Sequence, residues 1–187
     1  MQSFKHVSLL AVAAALAIGS SSASAQSTEV GGMAMYPTKD IVDNAVNSKD
    51  HTTLVAAVKA AGLVDALKGK GPLTVFAPVN NAFSALPAGT VETLLKPENK
   101  GQLTSVLTYH VVAGRYDVMA LRAAIKAGKG KATLKTLAGG TLTARMNGMH
   151  NIQIVDAGGN AANISTYDVK QSNGVIQVID RVLMPRM

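Results

Sequence analysis

A chain of 187 residues with a formal net charge of +7, no cysteine and no tryptophan rules out several kinds of chemistry at once. It can form no disulfide, carries no thiolate nucleophile or lipid-modified cysteine, and cannot stack sugar rings on indoles; aromatics at 4% are too few for the stacking platforms of single-strand binders. What the charge does suggest is an acidic polymer, an anionic membrane surface or nucleic acid as partner.

The N-terminus narrows that choice. Lys5 and His6 precede an apolar run from Val7 to Ile18, and small residues follow, ending in Ala23-Ser24-Ala25. This is the n-region, h-region and A-x-A site of a secretion signal, and the run is too short to span a bilayer. Cleavage after Ala25 is expected. It places the product in the periplasm or outside the cell and argues against nucleic acid. No other segment reaches transmembrane length, so no stable membrane insertion is expected. Residues 26–187 suit one domain, which at that size buries about 70% of its unfolded surface.

Residues 26–36, small and polar with two glycines, read as a flexible tail, and residues 37–187 as the domain. Pro37-Thr38 is expected to open a helix with Thr38 as N-cap, and Ile41, Val42, Ala45 and Val46 as its apolar stripe. A second helix spans about Asp50 to Gly62. Leu54, Val55, Val58 and Ala61 face one way, and Gly62 sits where a C′ glycine belongs. After a short turn at 63–67, Lys68-Gly69-Lys70-Gly71-Pro72 is a loop that lacks the spacing of a phosphate loop. Leu73 to Ala77 is a strand stopped by Pro78. Asn80 is expected to cap a short helix and Thr90 another, while Pro97 starts a third that presents Leu103, Val106 and Leu107. Tyr109 to Val112 reads as a strand, and Asp117 as the cap of a helix ending near Gly128.

The period then changes to two. Ala132, Leu134 and Thr136 alternate with Lys131, Thr133 and Lys135; Leu142, Ala144 and Met146 alternate with Thr141, Thr143 and Arg145. Gly139-Gly140 and Asn147-Gly148 are hairpin signals, and Ile152 and Ile154 continue the alternation. Gly158-Gly159 and Asn173-Gly174 are further turns. Val175 to Met184 is apolar enough for a central strand covered on both faces. The prediction is α+β, with short helices first and a mostly antiparallel, meandering sheet after them.

Three segments carry a resemblance: Leu73 to Phe83 with its Phe76-Ala77-Pro78 and Asn80, Leu107 to Gly114 with its Tyr109-His110, and Asn173 to Leu183 with its Gly174 and Asp180. In order and spacing they are similar to the first conserved stretch, the Tyr-His box and the second conserved stretch of fasciclin-like domains, over roughly residues 37–185. The resemblance implies an antiparallel wedge or sandwich packed with short helices from the N-terminal half. It implies an extracellular adhesion module rather than an enzyme. On the residues themselves, no cofactor and no metal are expected. Two positions depart from the family pattern: Val79 stands where Thr is usual and Gln177 where His is usual. Asp168-Val169 falls where animal members carry an Asp-Ile pair that resembles an integrin-contacting motif.

Each candidate site has a structural and a functional reading. His110 is a general base, a ligand or an adhesive contact on one reading, and a hydrogen-bonded buried histidine on the other; Tyr109 and His110 match a box that the resemblance links to cell binding. Asn80 reads as an N-cap, and Asp168 as a turn residue or a partner contact together with Val169. Arg122, Lys126, Lys129, Lys131 and Lys135 form a basic cluster with no acid among them. The helix and strand spacings allow it to converge on one side, where it is either a solvated face or a site for acidic polysaccharide. Met146, Met149 and His150, with Met33 and Met35 elsewhere, raise a copper reading against that of a hairpin tip. Asn163-Ile164-Ser165 is a glycosylation sequon in a eukaryotic secretory pathway. No G-x-S-x-G elbow and no paired metal-ligand histidines support an enzyme. The expected function is a non-enzymatic binding module whose partner is a cell-surface or matrix protein or polysaccharide. The alternative is a periplasmic binder of acidic polysaccharide.

Overall fold

The apolar run after Asn173-Gly174 becomes the strand around which the domain is built. The computed structural model describes residues 27–186, so the expected secretion signal lies outside the described residues. Strand β9, Gly174–Ile179, is buried along its whole length. It lies between β3, Leu73–Pro78, and β8, Ala161–Gln171. The first pairing is parallel and the second antiparallel. The sheet continues on one side to β4, Val111–Ala113, and on the other through β7, Asn151–Val155, and β6, Thr141–Asn147, to β5, Lys131–Lys135. All pairings except β3 with β9 are antiparallel. The outermost strands approach each other through a bridge between Val112 and Thr136, so the sheet curls almost closed.

Alternation on β3 and β9 splits the interior in two. Val75, Ala77, Ile176 and Val178 face a first core, while Phe76 and Ile179 face a second. The first is covered by α1, Ile41–Ala45, α2, Thr52–Ala61, α3, Val64–Lys68, and α6, Lys100–Tyr109. The second lies inside the curl, between the inner faces of β5 to β8 and α7, Val118–Ala127, which contributes Leu121 and Ile125. Two short helices, α4 (Asn80–Ser84) and α5 (Thr90–Leu94), complete the helical half.

Several local expectations differ from the structure. Thr90 is the first residue of α5 rather than its cap, a position held by Gly89, and the strand expected to reach Met184 ends at Ile179. Residues 26–36 are not a loose tail throughout. Thr28–Val30 and Met33–Met35, β1 and β2, pair as a ribbon whose Val30 and Met35 are buried in the first core. Asn44 holds it: its Oδ1 accepts from Tyr36 N at 3.0 Å, and its Nδ2 donates to Tyr36 O at 2.7 Å and to Gln171 Oε1. Helix α1 is capped by Asp40 rather than Thr38, since the Asp40 carboxylate accepts from Asp43 N, the geometry an N-cap supplies. And Tyr109 ends helix α6 instead of starting a strand, with His110 as its C-cap. The β-branched run begins only at Val111; before it, Leu103, Val106, Leu107 and His110 keep the helical i, i+3, i+4, i+7 spacing.

Candidate functional site

His110 and Tyr109 are scaffold. His110 is 2% exposed. Its Nδ1 donates to the Val106 carbonyl at 2.8 Å, and its Nε2 accepts from Leu183 N at 2.9 Å. Both contacts suit one neutral tautomer, and burial pushes the imidazole pKa down to about 4, because the charged ring would lose its hydration. Tyr109, 1% exposed, receives Ala157 N at its hydroxyl and donates to the Thr141 carbonyl. Burial raises its pKa. The pair therefore ties α6 to the C-terminal segment and to two sheet turns. Neither side chain is available to a partner, which corrects their reading as surface contacts.

The Asp168-Val169 pair is likewise engaged within the fold, although Asp168 itself is only half-buried. Val169 is buried in the first core. Asp168 sits at a register shift in β8 with φ of 56°. Its Oδ1 accepts from Val118 N at 2.8 Å. Asp117 Oδ1 accepts from Ala120 N in the same helix turn. Two carboxylates thus meet the N-terminus of α7, where free N–H groups and the helix dipole favour negative charge.

The other motif residues are clips. Asn80 does not cap its own helix. Its Oδ1 accepts from Thr53 N at 3.0 Å and its Nδ2 donates to Lys49 O, so it caps α2 from a distance. Asn173 accepts from Ile41 N and donates to the carbonyls of Leu67 and Gly69, joining α1 and α3 to the sheet. A Cβ on Gly174 would lie 2.1 Å from Leu73 O, so only glycine fits there. Phe76, Ala77 and Pro78 are buried, and the Asp180 carboxylate accepts from the backbone N and the Nδ2 of Asn163.

The cations divide between two layers. Helix α7 packs on the inner face of β5 and β6, with Leu121 and Ile125 among Ala132, Leu134, Leu142 and Ala144. Lys131 and Lys135 alternate with Ala132 and Leu134, so they leave the opposite, outer face. Arg122 and Lys126 belong to the helix layer, and Arg122 donates to the His150 carbonyl at the β6–β7 tip. Lys129 lies in the turn between them. The five do not form one patch, contrary to the convergence that their spacings allow.

The outer face instead gathers Arg145, a residue the sequence reading did not single out as a site. Register places Arg145 directly opposite Lys131, with Gln153 opposite Arg145 and Asn163 opposite Gln153. Arg145 donates twice to Gln153 Oε1, Gln153 Nε2 donates to Asn163 Oδ1, and Asn163 reaches Asp180. Thr133 pairs with Thr143, and Lys135 with Thr141. Arg145 was legible in principle: the Gly139-Gly140 hairpin fixes its phase against Lys131. Of the methionines with a copper reading, Met35 is buried in the first core while Met149 is exposed at the β6–β7 tip. No group of three or more His, Asp or Glu is placed to hold a metal ion among the described residues.

The fasciclin domain family model matches residues 49–185. A relative from Synechocystis sp., "Protein sll1483", is 48% identical over 147 residues, 79% of this chain and 74% of that protein. "Immunogenic protein MPB70" of Mycobacterium bovis is 36% identical over 83% of this chain and 72% of its own length. "Cell surface glycolipoprotein MPB83" of the same species is 35% identical, with 64% of its length covered. The chain belongs to the fasciclin-domain family. Its fold is also similar to the FAS1 domain pair of the insect cell adhesion molecule Fasciclin I, with a TM-score of 0.58 at 22% identity, over 70% of this chain and 43% of that one.

Proposed function

We propose that this protein is a non-enzymatic, exported binding module of the adhesion type that engages an acidic polysaccharide of the cell envelope or matrix through the outer face of β5 to β7. Family membership and relatives named as a cell-surface protein and a cell adhesion molecule support the module. One observation supports the partner class above the rest. Lys131 and Arg145 stand directly opposite each other on neighbouring strands, and both are exposed. Like charges so placed destabilise a sheet, and a polyanion lying over both would relieve that repulsion. Lys135 on the same face adds a third cation, and β5 to β7 carry no acidic residue. Among the described residues no helix is long and apolar enough to cross a membrane.

Immobilised polygalacturonate tests the reading, with binding measured at two salt concentrations. Wild-type protein should bind at low salt and be released as salt screens the contact. Lys131→Gln/Lys135→Gln/Arg145→Gln should bind at least tenfold more weakly, while Arg122→Gln/Lys126→Gln, in the other layer, should bind nearly as wild type. Equal binding by the triple variant and wild type at low salt would remove the sheet face from consideration.

A further inference from the structure

Asn173 draws distant segments together at one end of the sheet. Its bonds to Leu67 and Gly69 hold the α3–β3 loop against the β8–β9 turn, and Leu73 N donates to Asn173 O. Gly114 N donates to Pro72 O, which brings the segment after β4 alongside. A Cβ on Gly71 would lie 1.8 Å from Asn173 O, so the loop approaches this closely only with glycine there. Between these walls lies an open groove of about 560 Å³, lined by Asp40, Lys68, Lys70, Arg115 and Ser172 as well as the glycines of the loop. That volume falls within the range of small-molecule sites, about 300–1,000 Å³.

The charges in the groove do not cancel. Lys68 Nζ lies 2.6 Å from Asp43 Oδ1 and 3.8 Å from Asp40 Oδ2, so the acid in the lining is already matched. Lys70 is exposed, and its ammonium forms no ion pair among the described residues. Arg115 also lacks a carboxylate partner, yet its guanidinium is held: Nη2 donates to the carbonyls of Gln171 and Gly174, each at 3.0 Å. Those bonds fix the plane of the group and leave the donors on Nη1 and Nε. Arg grips a flat carboxylate through two parallel N–H bonds. Either edge of the fork that could do so includes Nη2, whose protons are taken. A tetrahedral oxyanion spreads its oxygens in three dimensions, so it can meet Nη1 or Nε singly and the mobile Lys70 ammonium from another side.

We propose that this groove binds a phosphate or sulfate monoester of a sugar, with the anionic head between Lys70 and Arg115 and the sugar in the remaining volume beside the Ser172 hydroxyl. The two unmatched cations suit a head with one or two negative charges. A hydroxylated ring suits the rest, because the groove is open to water and offers polar partners. The groove shares no residue with the outer face of β5 to β7, so this site and the polysaccharide contact can fail separately.

Amide NMR of the whole protein tests this, with titrations of glucose 6-phosphate, glucose 6-sulfate, glucuronate and glucose at an ionic strength fixed with sodium chloride. At least one ester should shift the Lys70, Gly71 and Ser172 amides and the Arg115 Nε resonance saturably, and the tighter of the two tells a phosphorylated from a sulfated ligand. Glucuronate should bind about tenfold more weakly, since its carboxylate finds no paired edge on Arg115, and glucose should cause no saturable shift. Lys70→Gln alters an exposed side chain, so its spectrum should match wild type away from the groove, while its ester affinity should fall about tenfold with the loss of a charge-assisted contact. Lys131→Gln, on the outer sheet face, should bind the ester as wild type does. Ester shifts that do not saturate or are confined to other residues would overturn the proposal. Glucuronate or glucose binding as tightly as the esters, or unchanged ester affinity in Lys70→Gln, would do the same.

Discussion

Gln177 clasps Asp168 twice: its Nε2 donates to Asp168 Oδ1 at 2.8 Å, and its Oε1 accepts from Asp168 N at 3.1 Å. The same Nε2 also donates to the Tyr116 carbonyl. The amide thereby holds β8 in its irregular register and keeps the Asp168 carboxylate aimed at Val118 N. Gln177 is fully buried, so each severed bond leaves an unsatisfied group that costs about 1–3 kcal/mol. Gln177→Ala is expected to lose about 3 kcal/mol in urea unfolding. Asp168→Asn should lose less than Asp168→Ala, because Asn keeps an acceptor for the helix and tolerates the left-handed backbone.

His110 makes stability depend on acid. Its folded pKa is about 4, against about 6.5 for a free imidazole. Between those values the unfolded chain holds the proton and the folded chain does not, so stability rises with pH across the window and is lost as pH falls through it. Each pH step of one costs about 1.4 kcal/mol, or about 3 kcal/mol in all, and His51, also shifted down by burial, acts in the same direction. Urea melts at pH 7 and 4.5 should show this loss. His110→Ala should be less stable at pH 7 by about 1–3 kcal/mol and should show a shallower loss in acid.

Lys129 occupies a position that suits glycine. Helix α7 ends with Gly130 N donating to Ile125 O and Lys129 N to Lys126 O, a six-to-one closure that puts Lys129 at φ of 54°. Lys129→Gly is expected to raise stability by about 0.5–1 kcal/mol, the relief of left-handed strain less the added unfolded-state entropy. A thermal melt lower than wild type would contradict that account.

Asn80 should behave as the cap of a helix it does not belong to. Asn80→Ala removes the acceptor for Thr53 N and is expected to cost about 1–2 kcal/mol. Hydrogen exchange should accelerate in the first turn of α2 and not in α4. Acceleration confined to α4 would assign the cap to the local helix instead.

Periodicity and turn chemistry by themselves determined much of the architecture. The strict alternation in β5 and β6, the glycine pairs between strands, and Asp117 three residues before Ala120 are local, and local physics decides them. The unbroken apolar stretch after Gly174 announced a strand covered on both sides for the same reason. Only the tertiary structure decided what each polar side chain reaches. Asn80 caps α2 because β3 ends beside that helix, and no spacing rule spans the 27 residues to Thr53. Tyr109 and His110 became internal ties because α6 runs through Tyr109 and caps at His110, so that the strand begins at Val111, two residues past its expected start. Lys131 parted from Lys126 because a helix covers one face of a sheet while alternate side chains leave by the other. Pairing across strands then put Arg145 in front of Lys131. Propensity and alternation are properties of neighbours in the chain, whereas partners for buried polar atoms and the company of surface charges are set by packing between distant segments.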